Sequence, residues 1–255
     1  MAAAEQESRA AAQVSLFGDD TAQMNGAAMV ESVPWDERTR LQNEKLALGF
    51  YYSGHPFRFY EKEFSSFVSS RLDRFQPPSP DEGARSQLLA GVIESVRTQR
   101  TGSGRMLVMV ISDGTASQEV VIYDEVLNQY RNLVREDAVV LVEAKVRSFR
   151  RGGDIGEDNV FVRISADRIY DLAGARERFG RALRLAMNGA ADAKKLKQLL
   201  EPYRNGGLRV CVAYTSAKAH ADFDLGEDWK VRPDDALITD LGKWLEPENV
   251  EVVYQ

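Results

Sequence analysis

The sequence predicts a mixed α+β chain, mainly β, with three parts: an N-terminal helical segment, a five-stranded barrel, and a small α+β domain. Three observations carry this. Short apolar runs separated by turn residues fill positions 88–169, the spacing of barrel strands. Helical periodicity precedes them, and an order of β-α-β-β-α-β follows from Asp171 onward. That last order is the one a ferredoxin-like arrangement would have.

The barrel reads as follows. Residues 88–93 form a first apolar run, and a loop with spaced arginines follows (Arg97, Arg100 and Arg105). A second run spans 106–111, Asp113-Gly114-Thr115 makes a turn, and a third run centres on 120–123. Val126, Tyr130, Leu133 and Val134 then fall at i, i+4, i+7 and i+8, one face of a short helix. Residues 139–146 form a fourth strand, Gly152-Gly153 a loop, and 160–169 a fifth. Three strands, a helix and two strands is the order of the OB-fold, which binds oligonucleotides through its second and third strands and the loops after strands one and four. Those two loops carry the arginines, with Arg147, Arg150 and Arg151 in the second. Lys145, Arg147 and Phe149 recur at every second residue, so one strand face can present two cations and an aromatic ring. Single-stranded DNA is the ligand this pattern suits. Ordinary solvated charge on a barrel is the competing reading, since 88–170 holds 11 Lys/Arg against 12 Asp/Glu.

Composition bounds the rest. The chain has 255 residues and a net charge of −6, which argues against a generally basic coat and makes any nucleic-acid contact local. One cysteine, Cys211, excludes an internal disulfide framework and fits a reducing compartment. No apolar run approaches the roughly 20 residues of a membrane span, and the N-terminus lacks a signal-peptide pattern. A cytoplasmic protein with no membrane contact is expected. The two histidines, His55 and His220, lie far apart without metal-ligand spacing. No metal, no cofactor and no catalytic constellation is expected, so the chain by itself is not an enzyme. His55 reads as a turn residue bonded to backbone.

Five segments follow in order. Residues 1–33 read as flexible, with a short peptide at 13–17 whose Gln13, Leu16 and Phe17 suit docking in a partner's apolar pocket, or folding back on the chain's own surface. Residues 34–75 are helical: a charged helix over 36–48, then Phe57, Tyr60, Phe64, Phe67 and Val68 as one wall of a second. Residues 76–87, with Pro77, Pro78 and Pro80, form a linker. The barrel takes 88–170. Residues 171–255 form the α+β domain, with a strand at Leu183, Leu185 and Met187 and a helix at Leu196, Leu199, Leu200 and Tyr203. From Ala219 on there are ten Asp/Glu against three Lys/Arg, which suits a protein partner. Trp229 and Trp244 are candidate anchors there, though core packing suits each better.

Glu44-Lys45, Leu48-Gly49-Phe50-Tyr51 and Ser53-Gly54-His55-Pro56 together resemble the "EK…LGFYxSGHP" signature of the bacterial DNA polymerase III alpha subunit. Residues 228–233 (Asp-Trp-Lys-Val-Arg-Pro) resemble that family's "W-(R/K)-V-(R/K)-P" stretch, and 13–17 resembles its internal clamp-binding motif in the same relative place. The resemblance implies a C-terminal piece of the subunit, without the palm domain that carries the polymerase metal site. It implies binding of the sliding clamp (the beta subunit) through Gln13, Leu16 and Phe17. It also implies contact of the last domain with the clamp-loader tau subunit, and of the barrel with template DNA. A free-standing OB-fold protein for single-stranded nucleic acid and a pure protein-interaction module are the alternatives.

Overall fold

The computed structural model describes residues 34–101, 104–150, 160–188, 192–217 and 219–254, with the backbone alone at 100, 101, 104 and 105. The candidate clamp peptide at 13–17, Gly152-Gly153 and Arg151 lie outside the described residues.

Helix α1, Glu37–Leu48, begins after Asp36, whose Oδ1 accepts from the Thr39 amide at 2.6 Å. That bond satisfies one of the amides a helix start leaves unpaired. The second predicted helix is not continuous. A 3₁₀ turn, Pro56–Phe59, is followed by a single helical turn, α2, Glu61–Phe64. Ser65 bonds back to the Lys62 carbonyl at 2.7 Å, a local contact that competes with helix propagation. The aromatic wall survives the break: Phe57 stacks on Phe64, and Phe64 meets Phe67 edge to face, each with ring centroids 5.3 Å apart.

The barrel is closed, with strand order β1-β2-β3-β5-β4 and β4 returning to β1. Its strands are β1 Arg85–Thr101, β2 Gly104–Ser112, β3 Ser117–Tyr123, β4 Val139–Arg150 and β5 Val160–Tyr170. Helix α3, Asp124–Tyr130, sits between β3 and β4, as expected for an OB-fold. Strand β1 serves two neighbours: 85–92 pair with β4 and 92–101 with β2. It bends where it changes partner, with a register shift between Ile93 and Ser95. A Cβ at Gly91 would stand 2.8 Å from the Ser112 carbonyl oxygen, so the crossing needs glycine. Inside, Ile93, Met109, Ile111, Ile122 and Val142 are fully buried.

The last region contains α4 Leu172–Phe179, β6 Gly180–Asn188, α5 Ala193–Leu200, β7 Arg204–Leu208, β8 Val210–Thr215, β9 His220–Asp224, α6 Asp235–Leu245 and β10 Val250–Tyr254. Helix α4 was not expected; from β6 on, setting aside the short β7, the β-α-β-β-α-β order holds, but the sheet does not have the ferredoxin-like ladder. Its order is β10-β6-β8-β9, and β6 pairs directly and in parallel with β8. In the ferredoxin-like ladder β9 would stand between them. The side chains explain the difference. Strand β8 (Val-Cys-Val-Ala-Tyr-Thr) is apolar enough to be covered on both faces, as a central strand must be. Strand β9 (His-Ala-Asp-Phe-Asp) is exposed throughout, and a central place would bury Asp222 and Asp224.

Candidate nucleic-acid interface

The arginines assigned to two loops sit mainly on strands. β1 and β2 run on beyond the barrel as a hairpin arm, in which Arg97 faces Val108 and Arg100 faces Arg105. A loop was expected there because 94–101 is polar on both faces, so no alternation marks it as strand. The backbone ladder, rather than burial of one face, defines the arm. Arg147 and Arg150 likewise belong to β4, opposite Arg163 and Val160 of β5. Registers place the two arms at opposite ends of β3, since Met106 of β2 pairs with Tyr123 while Ser165 of β5 pairs with Val121.

Among the predicted cations whose side chains are described, Arg97, Lys145, Arg147 and Arg150, three have acidic partners. Arg97 meets Glu119 at 2.6 Å, Lys145 meets Asp167 at 3.0 Å, and Arg150 meets Asp81 at 3.7 Å. All three pairs are solvent-exposed, worth about 0–1 kcal/mol each, so a phosphate can compete for the cation. Arg147 makes no ion pair among the described residues. Phe149 stacks on Phe161 across the strands, centroids 5.9 Å apart, and the Arg163 guanidinium lies 5.5 Å from the Phe149 ring centre. Phe161 and Arg163 were not singled out in the sequence. The signal lay in the register, which no sequence pattern prints.

The β2–β3 outer face is less suited to stacking. Leu107, Met109 and Ile111 point into the core, so Val108 and Val110 point out. The Arg97–Glu119 pair joins the strands on either side of Val108, which is only 3% exposed. Tyr123, at the end of β3, is the exposed aromatic there.

The residues of the "EK…LGFYxSGHP" stretch have intramolecular work. The Glu44 carboxylate accepts from the amides of Tyr52 and Ser53 at 2.9 and 2.8 Å. Tyr51 donates to Asp137 at 2.9 Å, and Lys45 lies 3.6 Å from the same carboxylate. Burial, then the bond to Asp137, pushes the Tyr51 phenol up to about 12. His55 Nδ1 accepts from the Phe57 amide at 3.3 Å, the turn role expected of it. Burial holds its pKa below the ordinary imidazole value, against the raising effect of Glu94 and Asp113.

Asp113, read as a turn residue, does more. It is 5% exposed and accepts from the amides of Thr115, Ala116 and, across the fold, Leu72. Burial raises its carboxyl pKa, but the Thr115 hydroxyl and these amides together outweigh burial and hold it below the usual carboxylate range. Its contribution to stability is therefore present at neutral pH and is lost as pH falls through that lowered value.

In the last domain, Arg232 of the Asp-Trp-Lys-Val-Arg-Pro stretch reaches Asp171, Glu177 and Asp234. Trp229 and Trp244 pack against the second core rather than standing free, with Arg204 and Lys195 over their rings. No helix among the described residues is long and apolar enough to cross a membrane.

A closed five-stranded barrel with cationic hairpin arms defines the class: this is an OB-fold chain with a small α+β domain appended. The model of the OB-fold nucleic acid binding domain matches residues 88–172, and that of the DNA polymerase III subunit alpha, C-terminal domain, matches 195–245. The DNA polymerase III subunit alpha of Vibrio cholerae is 31% identical over 225 residues, 86% of this chain and 19% of the relative. That of Escherichia coli K12 is 28% identical over 262 residues, 99% of this chain and 22% of the relative. Among solved structures, the mitochondrial single-stranded DNA binding protein Rim1 of S. cerevisiae aligns with 35% of this chain and 97% of its own at 20% identity, TM-score 0.30. The chain matches the C-terminal region of the bacterial DNA polymerase III alpha subunit along nearly its whole length, and it spans about a fifth of the length of those relatives.

Proposed function

We propose that the chain acts as the C-terminal, non-catalytic part of a bacterial replicative polymerase alpha subunit. In this reading it works in the cytoplasm and holds the polymerase among its partners. Gln13, Leu16 and Phe17 dock on the sliding clamp. The barrel contacts single-stranded template DNA through Arg97, Arg100 and Arg105 on one arm and Lys145, Arg147, Phe149 and Arg150 of β4, together with Arg151, which follows them in the sequence. The acidic last domain meets the clamp-loader tau subunit. The observation that carries the reading is the length of the match: 99% of the chain aligns with one alpha subunit, in a single alignment that spans the barrel and the last domain. Exposed, carboxylate-paired cations suit a barrel that steers a moving strand, because weak contacts exchange as the polymerase advances.

Titration calorimetry against the clamp tests the reading. The full chain binds, and a Leu16→Ala, Phe17→Ala double variant loses binding. Unchanged affinity in the double variant removes the clamp assignment. One observation favours the alternative of a pure interaction module: three of the barrel's expected DNA contacts already have carboxylate partners.

A further inference from the structure

We propose that the outward face of the β4–β5 arm is a one-nucleotide seat for single-stranded DNA, with a phosphate between Arg147 and Arg163 and a base on Phe161. This rests on the reading of the barrel as a DNA-contacting domain and assigns Phe161 and Arg163 to it.

The argument starts from register. Arg147 lies directly opposite Arg163, and Phe149 directly opposite Phe161, so two cross-strand rows share one face. Like charges opposite one another destabilise a strand pair. Elsewhere on the barrel Arg97, Lys145, Arg150 and Arg168 each meet a carboxylate. Neither Arg147 nor Arg163 does among the described residues. The pair is thus left with repulsion that an anion would relieve. Arg163 is placed against the Phe149 ring, and a guanidinium on an aromatic face can still offer its N–H edge to a phosphate.

The ring row supplies the second half. Phe149 and Phe161 are stacked with an interplanar angle of 24°, and Phe161 is 43% exposed. The two rows are two residues apart, roughly 7 Å along the strand, the reach from a phosphate to the base of one nucleotide. Alternation of a cation row and an aromatic row is the pattern that binds single strands without reading their sequence. An acidic protein surface would use the arginines but leave the exposed phenyl without a role.

The test is fluorescence anisotropy of the full chain with a labelled oligothymidylate over a salt series. Phe161→Leu keeps an apolar side chain and removes the ring; it weakens binding roughly tenfold with the salt slope unchanged. Arg163→Gln flattens the slope of log K against log salt by about 0.7, the loss of one phosphate contact. Val162→Thr, on the opposite face of the arm, changes neither. If the parent binds and both Phe161→Leu and Arg163→Gln match it in affinity and slope, the seat is overturned while the barrel still contacts DNA elsewhere. If the parent fails to bind at low salt, the seat and the wider DNA reading fall together.

Discussion

A Cβ built on Gly206 would stand 2.0 Å from the Arg232 nitrogen and 2.0 Å from the Val231 carbonyl carbon, both backbone atoms. At Gly207 the nearest atom is the Glu177 Cβ, at 3.6 Å, ordinary contact. In the sequence the two adjacent glycines look alike. In the structure they belong to β7, where Val231 forms bridges to Arg204 and Leu208 on either side of Gly206. Gly206 is there for close approach, and Gly207 is not. Gly206→Ala should therefore cost about 3 kcal/mol or prevent folding, since backbone cannot step aside as a side chain can. Gly207→Ala should change stability by less than about 0.5 kcal/mol. Urea denaturation of both variants checks the pair, and equal losses would refute the steric account.

Among the elements, strands with one buried face were legible and the polar arm was not, while helix α4 was missed although it buries Leu172, Ala173 and Ala175. β6 alternates Leu183, Leu185 and Met187 inward, and α5 places Leu196 and Leu200 inside, each as the pattern implied. The β1–β2 arm has no buried face, so it read as a loop. The ladder of the second sheet was misassigned for another reason: element order alone does not say which strand is central. Burial says it, and a near-continuous apolar run in β8 beside a polar β9 was the available clue. Native-state hydrogen exchange tests the observed order. Amides of β8, Val210–Thr215, should be among the slowest in the domain, while β9, His220–Asp224, should show fast exchange at the residues facing its open edge. Uniform protection of β9, with fast exchange along one edge of β8, would restore the ferredoxin-like ladder.

At the scale of the whole molecule, one buried cation joins parts that are distant in sequence. Arg176 of α4, 5% exposed, grips both Glu63 carboxylate oxygens at 2.6 and 2.9 Å. It also reaches the Pro233 carbonyl at 2.8 Å and Asp235, at the start of α6, at 2.9 Å. Tyr254 of the last strand donates its hydroxyl to Glu63 as well. Burial, then the bond to Glu63, raises the Tyr254 phenol well above its ordinary range, so it stays a donor at any working pH. Phe67 stacks on Phe179 and lies tilted against Tyr254 beside this cluster, with centroids 5.2 and 5.3 Å away. None of this could be read ahead, because Glu63 and Arg176 are 113 residues apart and each looks like a helical surface charge. The short helical turn, the barrel's exit helix and the final sheet thus share one charge network. Removing one partner of a buried ion pair strands the other and typically costs about 3–5 kcal/mol, whereas removing both leaves no uncompensated charge. Arg176→Met should therefore destabilise strongly, and Glu63→Gln with Arg176→Met should recover part of the loss. Tyr254→Phe, which deletes one hydrogen bond, should cost about 1 kcal/mol. Calorimetry adds the discriminating readout. If the network couples the barrel to the second sheet, the parent unfolds in one transition and Arg176→Met separates it into two. A single transition in the variant, with the double change no better than the single, would mean the network is local and the cores are joined by their apolar contacts alone.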